Sequence, residues 1–273
     1  VYGCTNSYAL NYDSNATFDD GSCSFLKTYV PDDVFEAWLE SNGYGDGIAF
    51  NDSVVTSAVS SVTQLFIPNK GIADLTGISD FTLLNHLECY DNNLTVLDLS
   101  DNYYLRYVRA QRNDSLSQIY LPDTTYNPYG PYINGSHYPG LADLYLFNCN
   151  VSYIDLDKPY SIGSIYLSRN PLISIDLSSM PFLTTLEVHY TDIISLDLSN
   201  NARLKHLYTH YCDSLTELDL RNGAIVNLNN HYLNNNPLLT CISVDNLTLA
   251  NAILTNIDPW VAFDYNCSVL GCM

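Results

Sequence analysis

Histidine and tyrosine residues recur together at a fixed spacing near the end of the chain, and they could do chemistry there. The pairs, each 21 residues after the one before, are His189-Tyr190, His210-Tyr211 and His231-Tyr232. Imidazole nitrogens bind transition metals, whereas tyrosines offer partners an aromatic body with a polar tip. No supporting carboxylate for a metal site is evident, so the pattern favours contact with a partner. Metal binding and a plain solvated surface remain alternatives.

Oxygen donors cluster near the start of the chain, where hard cations could bind. Asp13, Asn15, Asp19 and Asp20 precede Gly21 at alternating and adjacent spacing, as in loops that bind calcium. The bidentate Glu that closes an EF-hand loop is missing. The sequence therefore leaves calcium binding and a plain Asx-turn loop as alternatives.

Catalytic motifs are missing from the sequence. It has no HExxH metal site, no nucleophile elbow and no phosphate-binding glycine loop, and its 13 glycines are scattered among turns. We predict that the chain is not an enzyme and needs no cofactor, apart from the calcium considered above.

The charge balance excludes whole classes of partner. The sequence has ten Lys and Arg residues and 30 Asp and Glu residues, which gives a formal charge of −20. Nucleic acids and acidic membrane faces are bound through displaced counterions and basic patches, which this composition lacks. No apolar run approaches the ~20 residues of a membrane span.

An internal repeat organises the chain. Its apolar anchors are separated by 22, 21, 36, 21, 21, 21 and 21 residues, and they are Leu65, Leu87, Val108, Leu144, Ile165, Leu186, Leu207 and Leu228. Around each anchor the pattern is LxxLxLxxNxL, and a second apolar stripe such as Leu97-Asp98-Leu99 follows about ten residues later. Two short alternating segments per repeat predict two parallel β-ladders around a continuous core.

This pattern resembles the leucine-rich repeat over residues 62–245. The resemblance implies a mostly β, α/β-type solenoid, a horseshoe of about eight coils. The run from Val30 to Leu39, together with Gly45-Asp46-Gly47-Ile48 and the repeated LDLS motif, resembles secreted bacterial surface proteins of the internalin type. It implies an N-terminal cap over 28–61, whose short helix begins after Asp32 or Asp33. Residues 246–273 then form the C-terminal cap.

Seven of the eight cysteines fall into two groups, one near the chain ends and one in the repeat. Cys4 and Cys23 bracket a polar segment in an acidic module over 1–27, which reads Gly-Cys-Thr at its start and Asp-Asp-Gly-Ser-Cys at its end. Cys241 and Cys267 bracket the far end, and a disulfide there would close the C-terminal cap. Disulfides are most useful in such core-poor segments, and they indicate an extracellular setting. Three further cysteines lie at core positions of the repeat: Cys89, Cys149 and Cys212.

Side chains between the inward anchors should line the concave sheet, where we expect the binding surface. The candidates are Tyr145, Phe147, Tyr166, His189, Tyr190, His206, Tyr208, His210, Tyr211, His231 and Tyr232. Aromatic surfaces with polar tips serve protein interfaces and carbohydrate sites alike, so a protein and a glycan remain open as ligands.

The long interval between repeats holds an insertion over 124–140. Its prolines and glycines prevent it from continuing the ladder, so it should project as a loop. We predict an interface loop formed by Tyr126, Tyr129, Tyr132 and Tyr138.

Of eight Asn-x-Ser/Thr sequons, those at Asn93, Asn134 and Asn150 should be exposed and open to glycosylation.

The two ends of the chain resemble each other. Val1-Tyr2-Gly3-Cys4 and Val269-Leu270-Gly271-Cys272 align, which indicates the start of another module after the C-terminal cap. Cys272 has no partner in the predicted disulfide set and becomes a candidate for intermolecular pairing. We therefore predict an extracellular structural or adhesive unit at the cell surface, a repeating unit or subunit of a larger assembly or filament. Its partners would be further copies of itself, or another surface protein or glycan. The alternative is a stand-alone binding module that uses the concave face.

Overall fold

The computed structural model describes residues 1–123, 140–156 and 162–267, together with the backbone of two short strands in the insertion. In chain order the elements are β1 (Tyr2–Gly3), β2 (Phe18–Asp19), β3 (Lys27–Tyr29), α1 (Asp33–Ser41), β4 (Ser53–Val55), α2 (Thr56–Val59), β5 (Gln64–Phe66), β6 (His86–Glu88), β7 (Val96–Asp98), β8 (Tyr107–Arg109), β9 (Gln118–Tyr120), β10 (Tyr132–Ile133), β11 (Ser136–His137), β12 (Asp143–Tyr145), β13 (Ser164–Tyr166), β14 (Thr185–Glu187), β15 (Ser195–Asp197), β16 (His206–Tyr208), β17 (Glu217–Asp219), β18 (Asn230–Tyr232), β19 (Cys241–Ser243), α3 (Leu247–Ile253) and β20 (Ala262–Asp264). Two 3₁₀ turns lie at Ile78–Asp80 and Ile225–Asn227.

The predicted solenoid is present, and its concave sheet has eight parallel strands. Their order is β18-β16-β14-β13-β12-β8-β6-β5, one strand from each coil. The central residue of each three-residue strand points into the core, and Leu65, Leu87 and Val108 are paired in direct register. The leucine-rich-repeat fold class predicted from the spacing is therefore confirmed.

The last coil corrects the predicted register. His231, and not Leu228, pairs with Leu207 in the sheet, so this coil is 24 residues long. Leu228 is also buried because it occupies position one of the LxxLxLxxNxL pattern, with His231 at position four. The prediction that His231 lies on the concave surface was wrong: its side chain points inward, where its Nε2 accepts the Thr255 N–H at 3.1 Å.

A ladder of buried asparagines closes the same bend in four of the eight coils. Asn92, Asn113, Asn170 and Asn236 stand at position nine, and each amide donates to carbonyls that the bend leaves unpaired. Cys149 and Cys212 replace asparagine there, and their thiols contact the same kind of carbonyl. This ladder satisfies backbone groups that would otherwise be buried without partners.

The second ladder is divided into two pieces within the described residues. One piece is the pair β7-β9, and the other is the sheet β15-β17-β19-β20. No strand is described between them, in coils four and five, where residues 154–156 and 175–177 continue the apolar stripe as irregular backbone. Coils four and five are therefore joined in the described residues by the concave strands β12 and β13 and not by a second pair.

The N-terminal cap covers the open core of the first coil. Asp32 is the N-cap of α1, because its carboxylate accepts the N–H groups of Val34 and Phe35. Phe35 and Leu39 are fully buried on the helix face that contacts the first coil. Strands β3 and β4 pair in antiparallel fashion beside it.

Both terminal disulfides form. Cys4–Cys23 ties the first module, in which β1 and β2 are parallel. Cys241–Cys267 ties β19 to the segment that follows β20. At the C-terminal end, α3 lies over the core, capped by the side chain of Asn246. None of the helices in the described part of the chain has the length and hydrophobicity to cross a bilayer.

Candidate functional site: the concave aromatic face

Three rows of side chains line the concave face. Row five follows the inward anchor of each strand, and rows seven and eight follow two and three residues further on. From coil four to coil eight, row five contains Tyr145, Tyr166, Glu187, Tyr208 and Tyr232. Because the last coil is longer, Tyr232 belongs to row five and not to row eight. We call the aromatic residues of these rows in coils four to eight, with Arg169, the concave patch.

Row five stacks its aromatic rings along the sheet. The rings of Tyr145 and Tyr166 lie 4.2 Å apart between centroids at an angle of 6°, and those of Tyr208 and Tyr232 lie 5.5 Å apart. The Arg109 guanidinium covers the other face of Tyr145 at 5.0 Å. Parallel strands place equivalent side chains about 4.8 Å apart, which is close to the spacing of stacked rings.

Row seven carries a stacked histidine pair. The His189 and His210 rings lie 4.3 Å apart at 15°. Desolvation, together with the nearby His210 and Arg169, lowers the pKa of His189 to about 4, and desolvation also lowers the pKa of His210. Both rings are therefore neutral near pH 7, so the contact of 3.8 Å between His189 Nε2 and Glu187 is not an ion pair there. Burial meanwhile raises the pKa of Glu187.

The stacked histidine rings are badly oriented for binding one shared metal ion. A ring nitrogen coordinates a metal through a lone pair that lies in the ring plane. Two rings stacked almost in parallel direct these lone pairs side by side, so they do not converge on a point between the rings. The geometry thus favours the contact interpretation of His189 and His210 over the metal alternative.

Row eight has an unusual backbone conformation. In all eight coils its residue has a positive φ, between 52° and 61°: Asn69, Asp91, Arg112, Asn148, Arg169, Tyr190, Tyr211 and Asn235. Asn and Asp enter this left-handed region readily, whereas Arg and Tyr do so at a cost. Arg169, Tyr190 and Tyr211 occupy it in three successive coils. Their planar groups stack, with Arg169 at 4.4 Å from the Tyr190 ring and Tyr190 at 4.7 Å from Tyr211.

The concave patch presents ring edges and hydroxyls. Tyr190 is covered by Arg169 on one face and by Tyr211 on the other. The rings of Tyr145 and Tyr166 likewise cover each other. Tyr190, Tyr211 and Tyr232 nevertheless remain 41%, 44% and 48% exposed. A ligand that docks here meets the positive edges of these rings and their polar tips, and not their flat faces.

The remaining predicted site residues lie at several places in the fold. His206 lies at the start of β16, where it contacts Asn230, and Phe147 is half-buried in row seven. The exposed sequon residues Asn93 and Asn150 lie on loops. Several predictions fall outside the described residues: Tyr126, Tyr129, Tyr138, Asn134 and Cys272, and of Tyr132 only the backbone is described.

The acidic residues of the first module form turns. Asp13 accepts the N–H of Asn15, Asp19 that of Gly21, and Asp20 that of Ser22. These contacts match the Asx-turn alternative. In the described residues, the carboxylates close enough to share an ion are Asp33, Glu36 and Asp52, and Glu36 already accepts the backbone N–H groups of Asn51 and Asp52. The prediction of calcium at Asp13, Asn15, Asp19 and Asp20 gains no support.

Sequence reasoning missed Arg169 and Glu187 as members of the site. Both lie in outward rows of the repeat, but the prediction rested on aromatic residues and histidines, and neither residue is one. The informative signal is the residue type at position eight, where four of the eight coils carry Asn or Asp and the other four carry Arg or Tyr.

Comparison with known proteins gives a partial match. No family model matches the chain. Internalin J of Listeria monocytogenes is 33% identical over 86 residues, which make up 32% of this chain and 9% of that protein. Among solved structures, an internalin (inlF) from Listeria monocytogenes gives a TM-score of 0.48 at 16% identity and covers 86% of this chain and 69% of that chain. The LRIM1/APL1C complex gives 0.45 at 16% identity, with 86% and 47% covered.

These names are those of internalins and of the LRIM1/APL1C complex, and none of them denotes an enzyme. The sequence match to internalin J agrees with the prediction of an internalin-like repeat. Because the match spans about a tenth of the length of internalin J, what that whole protein does is not transferred to this chain.

Proposed function

We propose that this chain is an extracellular leucine-rich-repeat module that binds another protein through the concave patch. The observation that carries the proposal is the run Arg169, Tyr190 and Tyr211 in left-handed backbone conformation. Strained residues persist at functional sites because the contacts that they make there compensate for the strain.

The energetics of row eight support this interpretation. A non-glycine residue in the left-handed region costs roughly 1–2 kcal/mol, so three of them cost on the order of 3 kcal/mol or more. One stacked ring pair and one cation–π contact return about 1–2 kcal/mol. Asparagine in coils four and eight avoids most of this cost at the same backbone position. Stability alone therefore does not account for Arg and Tyr here, whereas both are typical anchors of protein interfaces.

Protein is favoured over glycan as the ligand because of the ring faces. Sugars pack their C–H groups on exposed aromatic faces, and the faces of Tyr190, Tyr145 and Tyr166 are largely covered by neighbouring side chains. Ring edges and hydroxyls can still contact carbonyls, carboxylates and aromatic faces of a protein. Two disulfides support the extracellular location, since such bonds persist in oxidising compartments.

The test separates binding from folding. Tyr190→Asn with Tyr211→Asn relieves the backbone cost and loses one stack and the Arg169 cation–π contact, so the free energy of unfolding should stay within about 1 kcal/mol of wild type. Arg112→Asn, at the same row position in coil three, is the matched control. Wild type and control should retain a protein from the extracellular fraction of the source organism that the double variant loses. Equal retention by all three, or retention of glycans alone on an array, contradicts the proposal.

Assembly with a second copy is the other candidate function. The first 29 residues hold eight of the 27 large apolar side chains that are exposed in the described residues: Val1, Tyr2, Tyr8, Leu10, Tyr12, Phe18, Leu26 and Tyr29. The C-terminal end exposes Leu238, Trp260 and Tyr265. Contact between unlike surfaces at opposite ends builds open filaments. The predicted interface loop, with Tyr126, Tyr129, Tyr132 and Tyr138, and the predicted intermolecular Cys272 belong to the same proposal.

Size and redox state test this assembly. Negative-stain microscopy and non-reducing gels should show filaments or a ladder at multiples of 30.6 kDa, and Tyr2→Ser with Phe18→Ser should shorten them. Cys272→Ser, which leaves the apolar ends intact, separates covalent from non-covalent contact. A single monomeric species at every concentration refutes the assembly.

A further inference from the structure

The closest stacked tyrosines on the face join two neighbouring coils. Tyr145 ends β12, Tyr166 ends β13, and the two are direct partners in the parallel register. Their ring centroids lie 4.2 Å apart at an angle of 6°. The pairs Tyr190–Tyr211 and Tyr208–Tyr232 are wider, at 4.7 and 5.5 Å, and less parallel.

This geometry suits one particular bond-forming reaction. When a tyrosine loses one electron and its hydroxyl proton, the phenoxyl radical that results carries spin density on the ring carbons next to the C–O bond. The orbitals that hold this density stand perpendicular to the ring. Two radicals in parallel stacked rings therefore point these orbitals at each other, and a carbon–carbon bond can form across the stack.

The neighbours of the pair direct coupling within it. Arg109 covers the outer face of Tyr145, and Glu187 follows Tyr166 in the same row of the next strand. Each ring thus has the other as its aromatic neighbour in the row. Both side chains are half-buried, so part of each remains open to solvent while the ring faces stay in contact.

We propose that Tyr145 and Tyr166 form a site of oxidative cross-linking, at which a dityrosine bond joins coils four and five. The oxidant is hydrogen peroxide acting through an extracellular haem peroxidase. Each phenol gives one electron and one proton, and the two radicals couple through ring carbons next to the C–O bonds. Each of the two carbons then transfers its hydrogen, as a proton, to the oxygen of its own ring, and both rings become aromatic phenols again. In total, one peroxide is reduced to two waters, and the pair loses two hydrogen atoms.

The position of the bond gives it a structural role. In the described residues, coils four and five are joined by β12 and β13 and by no strand pair of the second ladder. A covalent link between adjacent coils at this junction would restrict its opening, as a disulfide restricts the unfolded chain. The link complements the two terminal disulfides, which lie far along the chain from these coils.

The experiment exposes the dilute, folded full chain to horseradish peroxidase and hydrogen peroxide. Dityrosine fluorescence and peptide mass spectrometry then locate the links. We expect a cross-linked peptide that contains Tyr145 and Tyr166, on a chain that still migrates as a monomer. Tyr145→Phe and Tyr166→Phe keep the stacked ring but remove the hydroxyl, so each should abolish this peptide. Tyr208→Phe, in the widest pair, is the matched control and should leave it in place.

A second arm asks whether the fold directs the reaction. Chains unfolded in urea and returned to native buffer only after quenching should lose the preference for this pair. The proposal is overturned if the folded chain forms dityrosine only between monomers. It is equally overturned if other pairs link while Tyr145 and Tyr166 do not, or if either phenylalanine variant leaves the yield unchanged.

Discussion

Removal of one buried asparagine of the bend ladder should destabilise the protein more than most surface or core changes. Asn170 is buried, and its amide donates to the carbonyls of Leu146 at 2.8 Å and Leu167 at 2.9 Å. Its side-chain oxygen accepts the N–H of Val151 at 3.0 Å. Asn170→Ala leaves all three backbone groups without this partner, in a place that water does not reach.

The magnitude follows from the number of groups left unpaired. A buried polar group without a partner costs about 1–3 kcal/mol, so three groups lower the free energy of unfolding by about 3 kcal/mol or more. Threonine offers an internal comparison, because Thr191 stands at the same repeat position and donates to the Val188 carbonyl at 2.6 Å. Asn170→Thr keeps one of the three hydrogen bonds, so its loss should be smaller by about 1–2 kcal/mol.

Equilibrium unfolding in urea, followed by circular dichroism, measures both losses. Asn93→Ala is the control, because this exposed residue makes a single side-chain hydrogen bond and should change stability by about 0.5 kcal/mol or less. Equal losses for Ala and Thr, or a loss below about 1 kcal/mol for Ala, would refute the reasoning that unpaired backbone groups set the cost.

Three further predictions test other parts of the fold. Gly77 has a φ of 99°, and a Cβ there would lie 2.5 Å from a backbone oxygen of the N-terminal cap, so Gly77→Ala should cost more than about 2 kcal/mol in thermal melts. Replacing Cys241 and Cys267, 26 residues apart, by Ser should remove about 3.5 kcal/mol by chain entropy, and an unchanged urea midpoint would contradict this. Burial depresses the pKa of His189 from 6.5 to about 4 and also lowers that of His210. The contribution of these two rings to the free energy of unfolding is therefore complete above pH 6.5 and is lost as the pH drops towards 4. His189→Gln with His210→Gln should flatten this fall in urea midpoints measured against pH; the same slope in both proteins would refute it.

The sequence predicts most of the fold because the repeat is strict. Leu65, Leu87 and Val108 recur at nearly constant spacing, and one inward residue per strand suffices to set the ladder register. The helix of the N-terminal cap was also predictable, since Asp32 precedes an amphipathic run. The cysteines that replace Asn at position nine did not hide the pattern, because they are buried in the same place.

The last coil shows where pattern reading fails. Leu228 stands 21 residues after Leu207 and is apolar, so spacing alone selects it as the anchor. The chain instead inserts three residues, and a histidine fills the inward position because the backbone of the C-terminal cap gives it a hydrogen bond. Such a bond depends on a segment more than 20 residues away, which no local pattern encodes.

The stacked geometry of the candidate site was also beyond the sequence. Spacing placed Tyr190 and Tyr211 on the concave face, but not in left-handed backbone conformation. That conformation comes from the shape of the bend, which the coil imposes on whichever residue is present. The contact of Arg169 with Tyr190 follows from the same bend, since it aligns side chains of adjacent coils.

The shared conformation of row eight has a consequence for how this surface can change over generations. Its backbone is the same for Asn, Asp, Arg and Tyr, so residue identity there can drift without a new loop conformation. Residues 169, 190 and 211 also share one repeat position and one backbone conformation, so a chain cut at one of them can be rejoined at another. Loss or duplication of the 21 residues between two of them would unite matching chain ends and shorten or extend the face by one strand. A gene for such a chain can therefore alter this face in two independent ways, by point substitution and by whole-coil gain or loss.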